Sequence, residues 1–148
     1  MHNVLSTGVL FTDHYQLTMA QLYYRSGLGD RLARFEHSFR AYPDYGNHQA
    51  GYVIAAGLAP FVDWLGEATF DSPAIEALRS LRYVKGEGLF AEYYLECMSQ
   101  LCGFRDISLW SVPEGRLVHR NTPVAVVEGP LVLAQLLESS LLNHLNYA

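Results

Sequence analysis

The chain has 148 residues, half of them hydrophobic and 17% charged, which is the size of one ordinary domain with enough apolar side chains for a core. That composition excludes a disordered chain. A formal net charge of −5 and a pI near 5.6, with no basic patch, argue against a nucleic-acid partner.

The first element is announced by Leu10-Phe11-Thr12-Asp13-His14-Tyr15-Gln16-Leu17-Thr18-Met19, an extended apolar entry running into a helix. Thr12 is placed to accept a backbone N–H as N-cap, and Asp13 in the first turn suits the positive end of the helix dipole. Leu17, Ala20 and Tyr24 recur at helical spacing until Gly27 offers a stop. Asp13 and Tyr15 therefore stand where backbone N–H groups are still unpaired, a natural place for an anionic or polar ligand. The plainer reading is that Asp13 only caps the helix and Tyr15 is a half-buried aromatic.

From Arg34 to Arg40 the chain alternates, with Phe35, His37 and Phe39 on one side and Arg34, Glu36, Ser38 and Arg40 on the other. That predicts a half-buried strand with a polar second face. A loop rich in aromatics and turn formers runs from Tyr42 to His48, and Tyr52 to Ala56 is a short apolar segment. Leu58, Phe61, Val62 and Leu65 give a helical face, and Ser72-Pro73 reads as a cap followed by proline at the first helical position. After Gly86-Glu87-Gly88, an apolar stripe of Phe90, Tyr93, Tyr94, Cys97, Met98 and Leu101 predicts a helix closed by Gly103. Three short strands are expected next, at Ile107–Val112, Arg116–Val118 and Val124–Glu128, separated by Pro/Gly turns. A single apolar helix then runs from Leu131 to Tyr147. It carries no glycine, proline or basic cap near its end, so it needs something to bury against.

Cys97 and Cys102 are too few for a disulfide framework and lack zinc spacing. No apolar run approaches the ~18 residues of a membrane span, and the N-terminus lacks the regions of a signal peptide. A soluble, cytoplasmic protein without a membrane partner is expected.

Four segments carry a family resemblance: Thr12 to Met19; Phe35 to Pro43 with its Phe39-Arg40; Ala55-Ala56-Gly57-Leu58; and Trp110 through Val127-Glu128-Gly129-Pro130 to Leu136-Leu137-Glu138 and Leu141-Leu142-Asn143. In order and spacing they resemble the N-terminal portion of nicotinate phosphoribosyltransferase. The resemblance implies an α+β fold. Residues 1–129 would form the antiparallel, hammerhead or barrel-sandwich-like N-terminal domain of a type II phosphoribosyltransferase. Residues 130–148 would begin a long helix leading into an α/β barrel.

It further implies that nicotinate and phosphoribosyl pyrophosphate are joined into nicotinate mononucleotide, in NAD salvage, with ATP hydrolysis. Mg²⁺ and ATP would be used at sites in the barrel, and no metal ligand or catalytic residue is assigned to this chain. Proteins of the family work as dimers whose N-terminal domain covers the neighbour's active site, so the partner is a second copy or a separate barrel chain. On that pattern Asp13 and Tyr15 contact the pyridine ring and Arg40 reaches the phosphates. A Tyr face suits an electron-poor ring, and a guanidinium fork suits phosphate better than lysine.

Two positions depart from the family. His14 stands where an aliphatic or small residue is usual, and Ala41 follows Arg40 where a lysine is common. His37 and His119 are read as structural, hydrogen-bonded residues, and His144 is expected to face the barrel. A biotinyl or lipoyl carrier, the competing non-catalytic class, would need a lysine at a hairpin tip. The only lysine is Lys85, far outside the three-strand stretch. Three further readings stay open: the non-catalytic half of a split enzyme, a detached interaction domain, and a related enzyme using nicotinamide or quinolinate. The isolated chain is expected to be inactive.

Overall fold

The computed structural model describes residues 8–101 and 103–146. Cys102 and Tyr147 lie outside them. A three-stranded antiparallel sheet is the scaffold, with β5 (Ala125–Pro130) between β1 (Leu32–His37) and β3 (Ser108–Ser111). Register is set by burial: Ala125, Val127 and Gly129 of β5 point into the core, while Val126 and Glu128 alternate outward. Phe35 pairs with Val127 on one side of β5 and Leu109 pairs with it on the other. At Gly129 a side chain would collide with Asp106 and Ile107, because an added Cβ would lie 2.8 Å from the Asp106 carbonyl oxygen. A second, two-stranded sheet joins β2 (Val53–Ile54) to β4 (Leu117–Val118).

The strand expected from Arg34 to Arg40 stops at His37. Its partner has turned away there: Asn121, in the left-handed region at φ 59°, and Pro123 lead the chain out of the ladder. Single hydrogen bonds, Val124 N–H to His37 O (2.8 Å) and Asn121 N–H to Phe39 O (2.9 Å), carry the pairing a little further. Ser38, Phe39 and Arg40 are thus irregular. The three strands expected between Ile107 and Glu128 are all present but divide between two sheets, since β4 pairs with β2 rather than with its sequence neighbours.

Among the described residues six helices cover the sheet and each other. α1 (His14–Arg25) buries Gln16, Leu17 and Ala20 and ends at the predicted Gly27, whose φ of 68° lets the Leu28 N–H reach the Tyr23 carbonyl. α2 (Leu58–Glu67) buries Phe61 and Trp64. α3 (Ser72–Ser80) is capped by Asp71, not Ser72: its carboxylate accepts the Ala74 N–H at 2.9 Å, and Ser72 and Pro73 fall inside the first turn. α4 (Glu92–Gln100) buries Tyr94, Leu95 and Met98. Tyr93, assigned to its apolar stripe from sequence, is instead exposed. Nor is Gly103 that helix's terminal glycine: Leu101 closes it, and Gly103, at φ 71°, packs on the Ala68 carbonyl.

The single helix expected from Leu131 to Tyr147 is interrupted. α5 (Leu131–Leu136) and α6 (Glu138–Asn146) meet at Leu137. The entry segment before α1 crosses at that joint. The Thr12 hydroxyl donates to the Leu136 carbonyl at 3.2 Å, and the Ser140 hydroxyl donates to the Phe11 carbonyl. A carbonyl that an unbroken helix would use internally is thereby shared with another segment. His144 does not face outward. It sits among Phe11, Phe61 and Trp64 with Nδ1 2.7 Å from the Ser140 carbonyl.

Candidate functional site

The start of α1 and the joint between α5 and α6 are laced together by side chains. Asp13 is the N-cap residue rather than a first-turn residue, and its side chain makes no capping bond to the helix. Its carboxylate instead accepts the Ser139 hydroxyl at 2.7 Å, while the Asp13 N–H lies 3.1 Å from the same Ser139 Oγ. Thr12, expected to cap the helix, is committed to Leu136.

Tyr15, half exposed at 49%, points its phenol at Glu138 Oε1, 3.5 Å away. Partial burial, then the negative charges of Glu138 and Asp13, raise that phenol above its usual 10. The other carboxylate oxygen of Glu138 is held by Gln16 Nε2 at 2.8 Å and Gln135 Nε2 at 3.0 Å. Gln16 and Gln135 are buried and hydrogen-bonded to each other, and Tyr23 donates to Gln135 Oε1 at 3.4 Å. Each buried amide is therefore satisfied.

Beside this network a cleft of about 580 Å³ opens between the end of β1 and the α5–α6 face. Phe35, Phe39 and Leu141 supply apolar walls, and Arg40 and Glu138 bring opposite charges to it. Arg40 is exposed and makes no ion pair among the described residues. Glu36 lies 3.8 Å from Arg34, and Asp44 accepts the Gly46 N–H at 2.8 Å. A second cleft of about 590 Å³ lies on the other side of His37, Phe39 and Asn146, which line both.

His37 fits its structural reading. Burial pushes its imidazole below the usual 6.5, opposed by a hydrogen bond with Asn146. Folding thus favours the neutral ring. Its contribution is complete above pH 6.5 and is lost as pH falls through that value toward the lower folded pKa. Denaturation midpoints should accordingly drop between pH 7.5 and 5.5, and drop less in His37→Gln. His119 Nδ1 lies 3.1 Å from the Tyr42 hydroxyl, and the Arg120 guanidinium stands 5.7 Å from the centroid of the same tyrosine ring.

Of the residues named from sequence, Arg40 lines the cleft and Tyr15 does not; Glu138 links them, bonding Tyr15 and sharing the cleft wall with Arg40. Asp13 joins through Ser139, one residue on. Sequence reasoning does not single out Gln16, Gln135, Glu138 or Ser139. A signal exists: residues 135, 138 and 139 are polar at helical spacing in an otherwise apolar run, and residues 12, 13 and 16 repeat that pattern.

The crystal structure of human nicotinic acid phosphoribosyltransferase superimposes with a TM-score of 0.76 at 31% identity, over 93% of this chain and 26% of that one. The fold is thus a mixed α-helical and antiparallel-sheet domain of the kind found in that phosphoribosyltransferase. The profile of the nicotinate phosphoribosyltransferase (NAPRTase) N-terminal domain matches residues 10–146, and the chain belongs to that family.

Among relatives, nicotinate phosphoribosyltransferase of Bacillus subtilis is 38% identical over 93% of this chain and 26% of its own length. The Mycobacterium tuberculosis enzyme is 34% identical over 94% and 27%, and the human one 33% over 94% and 24%. The chain spans about a quarter of the length of these curated relatives.

Proposed function

We propose that this domain forms one wall of the substrate site of a nicotinate phosphoribosyltransferase, which joins nicotinate to the ribose of phosphoribosyl pyrophosphate and releases pyrophosphate. The product, nicotinate mononucleotide, feeds NAD salvage in the cytoplasm, and ATP hydrolysis is coupled to the step. The observation that carries this reading is that Glu138, the hydrogen-bond partner of the Tyr15 phenol, lines the same cleft as Arg40 within a domain of this family. Tyr15 offers an exposed aromatic face for the pyridine ring. Arg40 offers a guanidinium with no ion pair among the described residues for the phosphates. Asp13, tied to Ser139, positions the helix start beside the ring and can meet the ring nitrogen side through water.

The domain closes over the barrel of a second copy, or of a separate barrel chain. The groups that stabilise charge at the ribose and the departing pyrophosphate lie in that barrel, and the 148-residue chain alone is inactive. Among the described residues no three His, Cys, Asp or Glu side chains come together.

The test is to recover the chain from its host with whatever it co-purifies with, take the intact mass, and assay phosphoribosyl transfer to nicotinate. Turnover by the recovered assembly is expected, together with a fall of about tenfold in kcat/KM for nicotinate in Tyr15→Ala, the size of one lost aromatic contact. An assembly without turnover, or a Tyr15→Ala variant as active as the parent, would refute the reading.

A further inference from the structure

We infer that Glu138 is a positioning residue for Tyr15: two buried amides fix one oxygen of its carboxylate so that the other, 3.5 Å from the phenol, orients the ring beside the cleft that Glu138 lines. This rests on the functional reading above and deepens it. The geometry is one-directional. Gln16 Nε2 and Gln135 Nε2 converge on Oε2 at 2.8 and 3.0 Å, leaving Oε1 as the acceptor for the Tyr15 hydroxyl. Gln16 has no solvent exposure and Gln135 5%, so neither amide can swing out to water, and the carboxylate inherits their fixed position. Gln135 is held in turn by Tyr23 and Gln16, so the chain of bonds passes from the interior of α1 and α5 to the surface at Tyr15.

Tyr15 needs such an anchor. It is half exposed and sits in the first turn of its helix. A ring left to choose its rotamer loses part of its stacking energy to ordering on binding. Glu138 also explains how a carboxylate can line a cleft that must admit anionic substrates. One oxygen is masked by two amide donors, and Arg40 lies in the same wall. The anionic groups facing the Tyr15 phenol are Glu138 from α6 and Asp13 from its own helix start.

Glu138→Gln is isosteric. Its amide oxygen can still accept from Gln16 and Gln135, but its NH₂ then faces the phenol in place of a charged acceptor. In the active assembly this variant is expected to raise KM for nicotinate about three- to tenfold, the range of one hydrogen bond. KM for phosphoribosyl pyrophosphate should stay within about twofold of the parent. Combined with Tyr15→Phe it should add nothing to the loss already caused by Tyr15→Phe. Glu138→Asp, which keeps the charge but withdraws it by one methylene, should move KM in the same direction.

A second readout needs no turnover. The tyrosinate absorbance difference between the parent and Tyr15→Phe isolates the Tyr15 phenol, and its midpoint should fall in Glu138→Gln. Additive losses, equal shifts in both KM values, or an unmoved Tyr15 titration would each overturn the inference. Failure of the functional reading shows instead as a parent assembly without turnover.

Discussion

Replacing Arg40 with alanine is expected to raise KM for phosphoribosyl pyrophosphate about 10- to 100-fold and to leave KM for nicotinate nearly unchanged. The magnitude follows from losing a hydrogen-bonded contact to a charged group, about 1.5–3 kcal/mol. Its direction follows from the environment. Arg40 stands just past the end of β1, on a segment tethered to the chain opposite by the Asn121–Phe39 hydrogen bond, with its charge free of ion pairs among the described residues. No ion pair among the described residues has to be broken for it to engage a phosphate. Lysine at this position should recover only part of the loss, since a point charge replaces a planar fork and the neighbouring Ala41 offers no second cation. Initial-rate kinetics with each substrate varied in turn give the answer. Equal changes in both KM values would mean that Arg40 shapes the cleft rather than grips phosphate.

Phe61→Ala should lower the stability of the domain by about 3–5 kcal/mol, the range for emptying a large buried aromatic site. Phe61 is fully buried, stacks on Trp64 at 5.9 Å between ring centroids, and meets His144 edge-on at 5.6 Å. It is the joint through which α2 holds α6, the helix that begins with Glu138 and Ser139. Urea denaturation should show a lower midpoint with an unchanged slope. A midpoint within error of the parent would mean that His144 and Trp64 close over the gap.

Much of the fold is legible locally. The stop at Gly27, the helix after Ser72-Pro73, and the strands around Trp110 and Val127 are written in turn chemistry and apolar period, and the structure has each of them within a few residues. What is not legible depends on neighbours distant in sequence. The strand through Phe35 ends at His37 because the partner turns at Asn121. The last helix is interrupted only at Leu137, whose backbone stays in the right-handed region, where Thr12 reaches the Leu136 carbonyl, and nothing in Leu131–Asn146 by itself foretells that contact. His144 reads as outward-facing from its own helix because its partners, Phe61 and Trp64, lie about eighty residues earlier. The site shows the same division. Tyr15 and Arg40 can be named from their segments and the family pattern, whereas Glu138 gains its role only when α1 packs against α5.

The hydrogen bonds tying Asp13, Tyr15 and Gln16 to Ser139 and Glu138 span 126, 123 and 122 positions of the chain. At a ribosome adding about 5–20 residues per second, the helix that carries Tyr15 leaves the exit tunnel many seconds before its anchors are made. Until then Gln16 has no carboxylate to bind. The site is therefore among the last parts of the domain to assemble, after the long loops have closed, in a fold whose non-local contacts already favour slow folding. Loss of Glu138 and Ser139 would leave an α1 that can form but cannot be aimed.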